Sequence, residues 1–294
     1  MGTFIQLVVD GLSTGSIYAA LALAIVLVNQ ATGLINFAQG GMAVLSAYVA
    51  WWFTTTVGVP LILAILLSVI FSFLLGAFLE RYVLRRFERG DPDTAVVVTI
   101  GLLTLITGIC GWLWTYNNRQ MPSLFPLDTV QVLGASISIR SIGTTVVIIA
   151  IMVLLQGLFV GTKFGLAMRA VAINPQSASF SGLPVGRLLM AGWGLAAVLG
   201  AVAGALVAPQ LTLTPGMMDN ALVYALAAVI LGGLSSPFGV VIAAWLIGVL
   251  ENLAAVYVPF IGYDLKVVVP FVLIFVVLLV RPQGLFGRKA VVRV

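Results

Sequence analysis

Seven runs of apolar residues reach or approach the length of about 20 that a membrane-crossing helix needs. They are Gln6–Val28, Pro60–Glu80, Thr94–Tyr116, Ser141–Gly161, Leu188–Ala208, Phe238–Val258 and Leu265–Val280. Two further segments are less regular. Phe37–Phe53 begins in the polar, glycine-containing stretch NFAQGG. Ala221–Leu231 is too short to span and ends in GGLSSPFG. The pattern predicts an all-α, polytopic transmembrane helical bundle of eight or nine segments, forming a single domain over residues 1–294. The first run lacks a basic leader and passes directly into further spans, so it reads as the first span and not as a cleaved signal.

Polar sequence between the spans is concentrated in two places. Lys163–Arg187 is the longest such segment on the more basic side. Its middle predicts a short helix: Asn174 suits the N-cap, and Pro175 suits the first helical position, where a missing N–H costs nothing. Gly182 suits the left-handed position after the last turn, and Pro184 prevents continuation. The other polar loop is Asn117–Arg140, in which TVQVLGASISI alternates around Gly134 and predicts a small hairpin. Each loop is either a connector or a surface for a partner.

Charge orients the bundle. Arg81, Arg85, Arg86 and Arg89 share one loop, Lys163, Arg169 and Arg187 a second, and Arg281, Arg288, Lys289 and Arg293 the C-terminal tail. With nine segments, 11 of the 14 basic residues fall on one face, which the positive-inside tendency makes cytoplasmic. The N-terminus is then outside and the C-terminus inside. Trp51, Trp52, Trp112, Trp114 and Tyr116 fall at the expected outer interface. Trp193 and Trp245 do not follow that belt.

Small residues carry a second pattern. Ala196, Gly200, Gly204 and Ala208 recur every four positions and allow close approach of another helix. Pro209 is expected to end that element. The two irregular segments, NFAQGGMAVLSAY and SSPFGVVIAAW, each place a polar break ahead of an apolar helix, as two related halves would. Broken backbone is tolerated at membrane depth only against protein or a water-filled path, which makes Asn36–Gly41 a candidate route.

Composition narrows the chemistry. Hydrophobic residues make up 62% and charged residues 8%, about a third of the soluble norm. The absence of histidine removes imidazole metal sites, proton relays and Ser-His catalysis. The single Cys110 excludes a disulfide framework. The net charge of +5 follows from topology and does not indicate nucleic-acid binding. GLSTG at Gly11–Gly15 matches G-x-S-x-G, but inside an apolar run and without a base for Ser13. There is no Walker A sequence. No catalytic, cofactor or metal residues are assigned. Glu251 lies in Phe238–Val258 with Asn252 beside it, and it reads as a residue near the outer interface satisfying a neighbouring helix. Asp10, Asp219 and Asp264 sit near predicted outer ends, so ion coupling has no buried acidic pair to use.

GSIYAALALAIVLVNQATGLINFAQGGMAVLSAYVA, GLAMRAVAINPQSASFSGLPVGRL, LGGLSSPFGVVIAAWLIGVLEN and VLLVRPQGLFG together resemble the LivH-type permeases of branched-chain amino acid ABC importers. The likeness covers nearly the whole chain in order. It implies a type II ABC importer-like permease in a bacterial inner membrane. The implied partners are a second permease chain (identical or related), two cytoplasmic ATP-binding subunits that hold ATP and Mg, and a periplasmic or extracellular substrate-binding protein. Asn36, Phe37, Gln39 and Gly40 would line the translocation path, with Gln39 where many relatives have histidine. Arg169, Asn174, Pro175, Gln176, Ser177 and Gly182 would belong to the ATPase-coupling element. The alternative is a stand-alone secondary transporter or channel for a small polar solute.

Overall fold

The computed structural model describes residues 2–87, 92–132, 135–262, 265–281 and 283–287. Arg89, Gly134, Asp264, Arg288, Lys289 and Arg293 therefore lie outside the described residues. The helices are α1 (Gly2–Thr32), α2 (Gln39–Thr55), α3 (Leu61–Tyr82), α4 (Pro92–Trp114), α5 (Ile139–Gly161), α6 (Lys163–Ile173), α7 (Pro175–Phe180), α8 (Val185–Leu211), α9 (Asp219–Gly232), α10 (Pro237–Tyr257) and α11 (Val268–Val280). Strands β1 (Thr129–Val132) and β2 (Ala135–Ser138) pair antiparallel, with Val130 opposite Ile137 and Gln131 opposite Ser136.

Among the described residues, six helices are long and apolar enough to cross a membrane: α1, α3 with the turn after it, α4, α5, α8 and α10. They match six of the seven long apolar runs. The seventh run, Leu265–Val280, is helical only from Val268, leaving α11 with 13 residues. The two irregular segments become α2, of 17 residues, and α9, of 14.

The chain divides into two compact units. One comprises Met1–Val26, Phe125–Leu155 and Val223–Val294; the other comprises Leu27–Leu124 and Gln156–Leu222. In the second unit α8 is the central helix, packed by α2, α3, α6 and α7. The four-residue repeat of small side chains explains this position. Ala196, Gly200, Gly204 and Ala208 are all buried. Gly204 lies against the Ala43 carbonyl of α2 and Gly200 against the Gln39 side chain of the same helix, so a side chain at either would meet α2. On α3, Gly76 faces the carbonyl of Trp193: a β-carbon there would stand 2.5 Å from that oxygen. Hydroxyls add a polar stitch between α2 and α3. Ser68 Oγ donates to the Ser46 carbonyl at 2.6 Å, and the Ser46 and Ser72 hydroxyls bond each other, all three residues being buried.

Pro209 does not end α8. The helix runs two residues further and stops at Thr212, whose φ of +68° leaves the helical region. Near the C-terminus a proline removes one backbone donor and its ring is accommodated; the left-handed residue is what halts the helix.

In the first unit, the G-x-S-x-G stretch of α1 is a packing device. Gly11 and Gly15 sit against the α10 backbone at Val249 and Trp245. Ser13 Oγ donates to Ser141 Oγ at 2.8 Å, and Trp245 Nε1 donates to Ser16 Oγ at 2.9 Å.

The helix breaks that precede α2 and α10 share a local grammar. Gly33 and Gly233 take left-handed φ values of +76° and +95° and close the preceding helices α1 and α9. Their amides donate to Asn29 O and Val229 O, four residues back. Three residues later comes a polar residue that turns the chain into the next helix. Asn36 Oδ1 accepts from Ala38 N at 3.0 Å, and Ser236 Oγ caps Gly239 N at 3.0 Å ahead of Pro237.

Replacing Gly76 with leucine should force α3 off α8 and cost about 1–3 kcal/mol, read as a lower thermal unfolding midpoint in detergent. Gly101, whose β-carbon position is open, should accept leucine with little change.

Candidate functional site

The Lys163–Arg187 segment contains two helices, where the spacing had marked only the second. Thr162 opens α6: its Oγ1 accepts from Gly165 N at 3.0 Å. Gly165 must be small, because α6 folds back onto the end of α5, where Leu158 O and Phe159 occupy the space of a side chain. Asn174 is extended (φ −153°, ψ 98°) and serves as the C-cap of α6 and the N-cap of α7 at once. Its Oδ1 accepts from Ser177 N at 2.9 Å, and Pro175 occupies the first turn, as the sequence predicts. Gly182 follows the last turn with φ +79°.

The pair is seated by few residues. Met168, Val171 and Ala178 are buried, while Asn174, Pro175, Gln176, Ser177 and Gly182 are exposed. Arg169 and Arg187 are exposed beside them. Three large apolar side chains also point outward: Leu166 is 62%, Ile173 85% and Phe180 93% exposed. The result is a small capped knob with apolar tips and basic flanks.

A clamp below the knob was not legible in the sequence. Arg85, marked there only as a topogenic charge, pairs bidentately with fully buried Glu80 at 2.9 and 2.6 Å. The same guanidinium donates to the Gly186 carbonyl at 2.7 Å, which ties the end of α3 to the first turn of α8, just after the knob. A basic residue five positions after a glutamate at a helix end was the only available signal.

The Asn36–Gly40 strip lies at the start of α2. Asn36, Gln39 and Gly40 are buried, and Phe37 is half-buried. Gln39 Nε2 donates to the Ala196 carbonyl of α8 at 2.9 Å, and its Oε1 accepts from Asn36 Nδ2 at 3.2 Å. Both ends of the amide are therefore used. Gly200 on α8 leaves the room that Nε2 occupies. The structure joins Asn36 and Gln39 in one hydrogen-bonded corner, with Gly40 buried beside them against Met218 and Leu222, and gathers Asn174–Gly182 as a separate surface element of the same unit.

Glu251 is fully buried, and its partners come from far along the chain: Tyr18 Oη at 3.2 Å, Tyr224 Oη at 3.3 Å and Lys266 Nζ at 3.2 Å. That it satisfies neighbouring elements agrees with its sequence reading.

With this arrangement in view, comparison with known proteins is decisive. Residues 7–278 match the family described as branched-chain amino acid transport system / permease component. The chain belongs to that family. Its relatives include the high-affinity branched-chain amino acid transport system permease protein BraD of Pseudomonas aeruginosa, 29% identical over 99% of this chain and 98% of that one. LivH of Escherichia coli K12, described in the same words, is 27% identical over the same shares. The nucleoside ABC transporter permease protein NupB of Lactococcus lactis is 26% identical over 76% of this chain and 66% of its own length. The permease is thus a multi-pass membrane protein of a transport system, and the resemblance in its signature stretches is borne out.

Replacing Gln39 with leucine should leave Asn36 Nδ2 with only the Met42 sulfur as acceptor, remove the donor to the Ala196 carbonyl and cost about 1–3 kcal/mol, seen as a lower unfolding midpoint. Replacing Asn174 with alanine removes a cap worth about 1 kcal/mol, but on an exposed helix. It should raise amide exchange across residues 175–181 while the global midpoint barely moves.

Proposed function

We propose that this chain is the membrane-spanning permease subunit of an ABC importer for branched-chain or related amino acids, moved by ATPase subunits that dock on α7. The observation that carries the reading is the α6–α7 knob. It is capped at both ends, seated by buried Met168, Val171 and Ala178, followed directly by the Arg85–Gly186 contact, and presents exposed Ile173 and Phe180. A soluble partner with an apolar groove and acidic rim matches that surface. The names of BraD and LivH support amino acids as cargo, and NupB carries nucleosides in its name, so the solute class rests on the better-covered relatives.

In this reading six long helices and the shorter α2, α9 and α11 make nine membrane segments, in a type II importer arrangement. The chain sits in a bacterial inner membrane with its N-terminus outside and its C-terminus in the cytoplasm. It pairs with a second permease subunit, binds two cytoplasmic ATP-binding subunits that hold the ATP and Mg, and receives solute from a periplasmic or extracellular binding protein. Nucleotide-driven closure of the ATPases carries α7 with them. Because α7, the Arg85 clamp and α8 are linked, the movement reaches the helix that holds Gln39. Asn36, Phe37, Gln39 and Gly40 then line a path that opens as the two permease chains repack. Alternation between two discrete packings suits a core locked by glycine contacts, which deforms poorly in small steps.

Serine at both 173 and 180 tests this directly. Both native side chains are exposed, so the unfolding midpoint should hold. Burial of a large apolar side chain contributes about 1.5–3 kcal/mol, so the double change should weaken ATPase copurification by at least about tenfold and abolish ATP-dependent uptake in vesicles. Full uptake by the double variant, or uptake by the chain alone without any ATPase, overturns the reading; the latter result would make it a stand-alone carrier.

A further inference from the structure

Tyr48 Oη and Arg119 Nε are buried polar atoms with no hydrogen-bond partner among the described residues. Both belong to the unit built from residues 27–124 and 156–222. Tyr48, on α2, has no exposure to solvent. Its ring stacks on Trp114, the last residue of α4, with centroids 5.0 Å apart and planes 12° apart. Nearly one turn further along α2, the Trp51 ring carries the Arg119 guanidinium 5.3 Å from its centroid. The guanidinium is close enough to the phenol for the two to interact electrostatically. A cation and a phenol thus meet beside two indoles.

Stability does not explain this pairing. Leaving a buried donor unsatisfied costs about 1–3 kcal/mol, and a phenylalanine at 48 would keep the stack without that cost. Arg119 makes no ion pair among the described residues, where the paired carboxylates are Glu80 and Glu251. A guanidinium can only donate, and the phenol has a proton to donate as well. One negatively charged acceptor would satisfy both. The segment that brings Arg119 here is also strained. Residues 115–121 lead away from α4, and Arg119 N and O bond Leu213 O and N at 3.1 and 2.9 Å. A left-handed threonine stands at each junction: Thr115 after α4 has φ +65°, and Thr212 between α8 and Leu213 has φ +68°. β-Branched residues rarely adopt that conformation, and it persists only where the surroundings impose it.

We propose that Tyr48 Oη and Arg119 Nε form a binding site for the carboxylate of a small solute with an apolar side chain, entered when the 115–121 strap lifts from Leu213. The carboxylate accepts from both donors, and the indoles of Trp51 and Trp114 flank the apolar part. Lifting the strap breaks two backbone hydrogen bonds and lets both threonines relax, so strain offsets part of the cost of opening. Binding then draws the chain toward the open arrangement. That the carboxylate belongs to the transported amino acid rests on the proposed importer reading; the anion site itself does not.

The unfolding midpoint of the purified full chain, titrated with three probes, tests it, because a ligand that binds the folded state raises that midpoint. Leucine should raise it saturably. So should 4-methylpentanoate, which lacks the ammonium, whereas leucinamide, which lacks the carboxylate, should not. Tyr48→Phe and Arg119→Met should each raise the leucine concentration for half the effect by about tenfold or more. Tyr48→Phe removes one buried oxygen and keeps the stack, so without ligand its midpoint should equal or exceed the native one. A structural role for the phenol predicts the reverse. Leucinamide acting as well as leucine, a native leucine response in both variants, or a lower ligand-free midpoint for Tyr48→Phe would overturn the site. So would variants that bind leucine normally but no longer capture the substrate-binding protein, which would assign Arg119 to a docking surface. A complete transporter that takes up no leucine on ATP, while the chain alone still binds it, would strike the importer reading and leave the site standing.

Discussion

Every interruption of an apolar helix in this chain must satisfy its own backbone, because lipid supplies no hydrogen bonds. That constraint explains where the polar residues are. Left-handed glycines close α1 and α9, and Asn36 and Ser236 turn the chain into α2 and α10. The C-terminal segment obeys the same rule. Leu285 N and Phe286 N donate to the Leu231 and Gly232 carbonyls at the open end of α9. Residues 283–287 of the RPQGLFG stretch thus finish a helix more than forty residues earlier in the chain.

Satisfied breaks alone would leave the helices free to slide, since lipid tails are as apolar as leucine. Contact at glycine replaces the missing hydrophobic drive with close packing. Gly204 on α8, Gly76 on α3, and Gly11 and Gly15 on α1 each admit a neighbouring backbone where a side chain would collide, and Gly200 admits the Gln39 side chain. Polar atoms then fix the register: the Gln39 amide on Ala196, the Ser46–Ser72 pair, and Trp245 on Ser16. In each unit the small residues set the distance between helices and the hydroxyls or amides set the rotation.

What the sequence made legible was local. The six long spans, the four-residue stripe on α8, the cap at Asn174, the left-handed Gly182 and the hairpin strands all follow from residue type and spacing within a few turns. What it hid was anything joining distant positions. Gln39 read as a polar group on a route; what the sequence hid is that its Nε2 donates to the Ala196 carbonyl of α8 while its Oε1 accepts from Asn36. Arg85 read as a charge that sets topology, yet it clamps Glu80 and Gly186. Glu251 has one partner 233 residues away in sequence, beyond any periodicity argument. Pro209 failed differently: the rule that proline ends helices is a rule about interiors, and in the last turn the conformation of Thr212 outranked it.

The distribution of rigidity bears on how such a chain can work. A capped knob transmits force only if its base does not yield. The Arg85 guanidinium meets that need with two bonds to a buried carboxylate and one to the backbone of α8. Both buried glutamates are met by a basic side chain, Glu80 by Arg85 and Glu251 by Lys266, with two phenols added at Glu251, so neither carboxylate stands in an apolar bundle without a counter-charge.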